Sequence, residues 1–301
     1  LYASHMAAGI EGEPRRMARG DRRGGPHRSP RAIKLLWHQA RAEWRIFWRT
    51  PISAFFTIFF PLLIFVVFSL VFGNEWIDYL GITTAQFYAP SLAVFAAVSA
   101  TYTNISIFTS YQRDEGILKR VRGTPLPSWI FLGGKILASI LIALIGTLIM
   151  LSVGAVFFGL QVYPETVPIL IVVFFVGVAT FAALGLLVAA LAPSGQAATA
   201  IANATLLPLA FVSGVFIVPS EDMPGWVTAV SNFFPLSHFV EPFVAAFTPE
   251  ATRADFEWLD LAYLAVWGVV ALVLAIRWFK WEPPTSGGGR RSRNKSTAAA
   301  G

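Results

Sequence analysis

Ionisable side chains are scarce in this 301-residue sequence, and the densest internal group is YQRDEGILKRVRGTPLP, from Tyr111 to Pro127. Arg113, Asp114 and Glu115 open it, Lys119, Arg120 and Arg122 close it, and the apolar Ile117, Leu118 and Val121 stand between. That order predicts a short charged helix whose ends complement the helix dipole and which Gly123 and Pro125 stop. Its chemistry is recognition: charged ends around an apolar middle suit a groove on a partner, although a solvated loop would have the same composition. Phosphate chemistry fails just downstream. A nucleotide-cradling loop needs Gly, four residues, then Gly-Lys-Ser or Gly-Lys-Thr, but Gly134 and Lys135 precede Ile136, and Trp129 stands where the first Gly belongs. Cysteine is absent, which excludes thiol catalysis, disulfides and thiolate metal sites. With no His cluster, carboxylate pair or Ser/His/Asp set on one side of the chain, the sequence predicts no catalytic residue, no metal and no cofactor of its own.

The elements that position this stretch follow from hydropathy. Hydrophobic residues make up 55% of the chain and charged residues 13%, too apolar a balance for a soluble chain of this length. Lipid must cover the excess, and 26 Phe with 10 Trp suit lipid-facing and interfacial positions. A hydrocarbon crossing takes about 20 apolar residues. Six stretches qualify, approximately 52–72, 87–110, 129–158, 166–191, 197–218 and 258–279. The predicted fold class is an all-α integral membrane protein with six transmembrane helices, the third long enough to tilt or to begin as an amphipathic surface segment.

A net charge of +6 would suit nucleic acid, but the cations sort by membrane side. Every Lys and Arg except Arg253 lies before Pro51, between Arg113 and Arg122, at Lys135, or from Arg277 onward. The intervening loops hold acids such as Glu75, Asp78, Glu165, Glu221 and Asp222 and almost no cations. By the positive-inside rule the basic side is cytoplasmic, which puts both termini there in a multi-pass protein of the cell membrane. Nucleic acid is excluded as a partner, and membrane lipid is the expected one.

Residues 1–31 carry Arg, Gly and Pro with few large apolar groups and are expected to be disordered, the five residues before Met6 reading as a cloning remnant. No signal-peptide pattern follows. Residues 32–50 space Leu36, Trp37, Ala40, Trp44, Phe47 and Trp48 at helical intervals among Lys34, Arg41, Arg45 and Arg49. They predict an amphipathic interfacial helix along the inner leaflet, whose plainer role is a lipid anchor. Residues 51–282 form the six-span domain, and 283–301 a disordered basic tail. The stretch 226–247 also reaches spanning length, but Pro235, His238, Glu241 and Pro242 interrupt it, and a seventh crossing would carry the basic tail outside. An outer re-entrant helical hairpin between spans five and six satisfies both facts. Phe234, His238 and Glu241 are its candidates for an outer gate, against a plainer role in bonding two short helices together.

Asp and Glu are missing from the six spans except for Asp260 at an edge, which argues against ion-coupled transport. Lys135, at the head of the third span, is expected to snorkel to the inner headgroups. Thr101 and Asn104 in the second span, with Asn203 and Thr205 in the fifth, are candidates to line a path; interhelical packing is the default use of such groups.

The segment RDEGILKRVRGTPLP followed by Gly133, Gly134 and Lys135 resembles the cytoplasmic loop of type-2 ATP-binding-cassette permeases, the family of the daunorubicin-resistance exporters. LLPLAFVSGVFIVPSEDMPGWVTAVSNFFPLSHFVEPF, 206–243, is similar to that family's fifth span and outer hairpin, and RTPISAFFTIFFPLL, 49–63, to its first span. The resemblance covers roughly 32–281. It implies a transmembrane permease subunit, paired with a second permease, most simply a second copy of this chain, and with ATP-binding-cassette ATPase subunits that carry ATP and Mg. It further implies export of a hydrophobic drug or lipid-like substrate. A lipid-linked glycan is the alternative cargo, and a non-transporting membrane scaffold is the rival from another class. The family's coupling helix follows the second span, so Arg113, Asp114, Glu115, Gly116, Leu118, Lys119 and Arg122 become candidates for contact with the ATPase. The uncharged turn APSGQ, 192–196, is the candidate second contact.

Overall fold

An apolar chain crosses hydrocarbon as helix because no water there satisfies backbone N–H and C=O groups. The computed structural model describes residues 32–72, 75–77, 81–124, 126–219, 223–248 and 258–279; the expectations for 1–31 and 283–301 lie outside them. Six helices are long and apolar enough to span: Pro51–Val71, Thr84–Asp114, Ser128–Phe157, Val167–Leu191, Gly195–Val212 and Trp258–Trp278. The expected six-span, all-α class holds, and strand structure among the described residues is confined to a two-residue antiparallel ladder, Trp76–Ile77 with Ile82–Thr83.

The second span is the axis of the subunit. Of its apolar window 83% is buried, against 17% for the sixth span, which packs along the fourth at the edge. Composition explains the difference: Ala85, Ala89, Ala93, Ala96, Ala97 and Ala100 let neighbouring backbones approach closely, whereas the sixth span turns Leu259, Val266, Val269, Val273 and Ile276 outward. The first and second spans each widen by one π-helical turn, at Phe55–Phe59 and Ser99–Thr103. Such turns leave main-chain groups poorly paired and recur at functional sites.

The third span is a continuous 30-residue helix, about 45 Å long, well beyond the roughly 30 Å of hydrocarbon. Its first turns pack against the amphipathic helix, Ala32–Arg49. Contact is backbone-close at Gly134, where an added Cβ would strike the Gln39 side chain and lie 3.1 Å from the Ala40 nitrogen. Ala40 and Phe47 are buried on that face, while Lys34, Arg41, Arg45 and Arg49 are exposed.

Three expectations are corrected. Lys135 does not reach outward to headgroups: it is 3% exposed, and its Nζ donates to Glu43 Oε2 of the amphipathic helix at 3.1 Å. An unpaired ammonium so deep would be costly, and the carboxylate one helix away replaces water as its partner. Arg113 and Asp114 do not open the loop helix; they end the helix of the second span, because the break falls at Glu115 and Gly116. The fifth span stops at Val212 rather than Val218, with Ser213 capping it and Gly214 in the left-handed region at φ 74°.

Two short helices, Gly225–Phe233 and Ser237–Ala245, stand between spans five and six. The second of them packs on the start of the second span, at the end opposite the charged loop. Gln86 ties this end together: its Nε2 donates to the carbonyls of Gln161 at 2.9 Å and Phe247 at 2.6 Å, and its Oε1 accepts from the Gln161 N–H at 3.0 Å.

Candidate functional site

The charged loop is built on the end of the most buried helix. Gly116 takes φ 70°, a left-handed conformation that costs glycine little, and redirects the chain into the loop helix, Ile117–Arg122. Leu118 is fully buried and anchors this helix to the body. Ile117 and Val121 are half-buried, and Glu115, Lys119, Arg120 and Arg122 are exposed. The result is a rim of charge around a partly apolar ridge, fixed by one leucine.

Arg113 and Asp114 face elsewhere. The guanidinium of Arg113 is buried, and its terminal nitrogens donate to the carbonyls of Ala189 at 2.7 Å and Ala192 at 2.6 Å. Asp114 Oδ2 accepts from the N–H of Gly195 at 2.6 Å. Of the seven loop candidates, the exposed rim therefore holds Glu115, Lys119 and Arg122, with Arg120 beside them. Arg113, Gly116 and Leu118 shape and hold the loop, and Asp114 reaches across to the 192–196 turn. That turn lacks charge of its own and receives it from the second span.

The candidate path residues separate into two settings. Thr101 is fully buried and donates to the Ala97 carbonyl at 2.9 Å. Asn104 accepts from Ser53 Oγ at 3.0 Å and donates to Thr57 Oγ1 at 3.2 Å, joining the π-helical turn of the first span to the end of that in the second. Asn203 and Thr205 lie on the exposed side of the fifth span, where Thr205 Oγ1 shares a 2.6 Å hydrogen bond with the Tyr102 hydroxyl. Asn104 lines a small cavity together with Glu43, Phe47 and Lys135, which the other three do not line.

In the pair of short helices between spans five and six, Phe234 stacks on Trp267 of the sixth span at 6.4 Å. His238 Nδ1 lies 2.7 Å from Asp260 Oδ1 and its Nε2 2.9 Å from the Asn232 carbonyl, so this histidine binds the hairpin to the sixth span. Glu241 lies on the exposed side of the second short helix. Sequence reasoning missed Glu43, Gln86 and Tyr102. Glu43 left one signal, a lone acid within a basic amphipathic helix; the partners of the other two lie far along the chain.

A multi-pass helical membrane protein is the class this architecture defines. Residues 34–248 match the ABC-2 type transporter family, and the chain belongs to that family. It is 30% identical over 223 residues to the daunorubicin resistance ABC transporter permease protein DrrB1 of Streptomyces coeruleorubidus, covering 71% of this chain and 74% of that protein. It is 31% identical over 204 residues to the transport permease ycf38 of Cyanophora paradoxa, covering 64% and 67%. It is also 21% identical over 186 residues to the multidrug ABC transporter permease YbhR of Escherichia coli, covering 62% of this chain and 48% of that protein. The chain is thus a membrane transport subunit of the ATP-binding-cassette class, and the family implies an ATP-binding-cassette partner.

Proposed function

We propose that this chain is the permease of an ATP-driven exporter that moves a hydrophobic drug or lipid-like substrate outward, and that its ATPase partner docks on the loop helix. The observation that carries this reading is the exposed rim of Glu115, Lys119, Arg120 and Arg122 on a ridge anchored by Leu118, at the end of the most buried span. A motor subunit needs a grip that is accessible on one side and rigidly rooted on the other. Relatives named for daunorubicin resistance and multidrug transport support the cargo class. ATP and Mg belong to the partner. The basic loop side is cytoplasmic in this reading, and the outer helical hairpin dips into the opposite leaflet. A second copy of this chain covers the fifth span, whose apolar window is only 28% buried and which exposes Ile201, Leu207 and Phe211.

The test is a mild-detergent purification of the chain from its native membrane, with mass spectrometry of what accompanies it and an ATPase assay. A co-purifying ATP-binding subunit with ATPase activity is the expected outcome. Glu115→Lys, which reverses an exposed charge without touching the core, is expected to abolish export while leaving the chain folded. No ATP-binding subunit under several detergents would overturn the reading in favour of a scaffold, and undiminished export by Glu115→Lys would remove the loop helix as the docking element.

A further inference from the structure

The turn between spans four and five is gripped from both sides by the last two residues of the second span. Arg113, 3% exposed, donates to the carbonyls of Ala189 and Ala192, where the fourth-span helix ends at Leu191. Asp114 accepts from the N–H of Gly195, the first residue of the fifth-span helix. A helix C-terminus presents unpaired carbonyls and partial negative charge, and an N-terminus presents unpaired N–H groups and partial positive charge. Cation on the former and anion on the latter are both the favourable sense, delivered by adjacent residues. One turn back, the Tyr111 ring packs against Gly195, where an added Cβ would come within 2.7 Å of it. Within the subunit the fifth span packs chiefly on the second span and is otherwise mostly exposed along its length. In the other direction only Glu115 and Gly116 separate the grip from the loop helix.

We propose that Arg113 and Asp114 form a clasp that carries displacement of the loop helix to the fifth span, so that they act as positioning residues of transport rather than as contacts for the ATPase. This rests on the exporter reading above. Two charge-assisted bonds from one planar guanidinium allow little slack. If the loop helix is pushed, the end of the second span and the 192–196 turn must move as one piece, and the fifth span swings with its own N-terminus. The Tyr102–Thr205 bond joins the same two spans further along.

The chain has no cysteine, so a single nitroxide at the exposed Ala200, as Ala200→Cys, reports on the fifth span within the complete permease–ATPase complex in liposomes. In the parent the label spectrum is expected to change with nucleotide. In Arg113→Gln that change is lost, and cargo exported per ATP hydrolysed falls roughly tenfold, within the usual range of coupling between sites. Arg113→Lys, which keeps the charge and one bond, recovers part of both, which a purely structural role would not produce. Should Arg113→Gln fail to assemble, the surface variant Asp114→Ala is read the same way and is expected to weaken both signals. Nucleotide-driven movement and export per ATP that persist at the parent level in the assembled variants overturn the clasp alone. A parent complex in which nucleotide moves nothing overturns the exporter reading and the clasp with it.

Discussion

Lys135 and Glu43 show how much a single side chain depends on its setting. The pair is buried, at 3.1 Å, and Gln39 Nε2 donates to the other carboxylate oxygen at 3.2 Å. Removing one member leaves an uncompensated charge, so Glu43→Gln is expected to destabilise the chain by about 3 kcal/mol. Replacing both, as Glu43→Leu with Lys135→Leu, removes the charges together and is expected to recover most of that loss. Thermal unfolding of the purified variants in detergent checks both, and a double variant as unstable as the single one would show that packing, not charge, fails. Lys135 was legible as a cation at the head of a span. Its partner was not, because Glu43 is 92 residues earlier and nothing local joins them. Arg113 and Asp114 were likewise legible as charges of the segment after the second span, yet the direction they face depends on where the fourth span ends.

Among the elements, the amphipathic helix departs most from its plain reading. Its periodicity and its Trp and Arg content were enough to predict an interfacial helix, and its cationic side is indeed exposed. Its other face is fitted against the third span at a glycine, which lipid anchoring alone would not require. Gly134→Val is expected to push the two helices apart and cost about 1–3 kcal/mol, as overpacking does in a close-packed contact. The loosening should be local, so hydrogen exchange at residues 32–49 is expected to accelerate while the amides of the second span keep their protection. Unchanged exchange there would mean that the helix is held by lipid and not by the third span. The loop helix was placed correctly in the chain but set one turn too early, because charges alone do not reveal that Gly116 adopts a left-handed φ.

At the scale of the molecule, orientation is the property that composition argues and that a direct experiment settles. Because the chain is free of cysteine, Lys119→Cys in the loop helix and Thr228→Cys in the short helix Gly225–Phe233 each place one thiol at an exposed position. A membrane-impermeant maleimide applied to intact cells is expected to modify Thr228→Cys and to reach Lys119→Cys only after permeabilisation; the reverse pattern would invert the topology. The six spans and the alternation of basic with acidic loops were determined by the sequence itself, since the hydrocarbon admits only long apolar helices and the charge bias counts residues near their ends. The helical break between spans five and six was legible for the same reason, from prolines and polar groups in an otherwise apolar run. Tertiary structure decided which span is central, that Asn104 binds the first span while Thr205 binds Tyr102, and that Arg113 with Asp114 spans two helix ends. Those outcomes depend on which surfaces meet. Hydropathy assigns each helix to lipid without assigning its neighbours, whereas close approach of small residues and the pairing of buried polar groups do assign them.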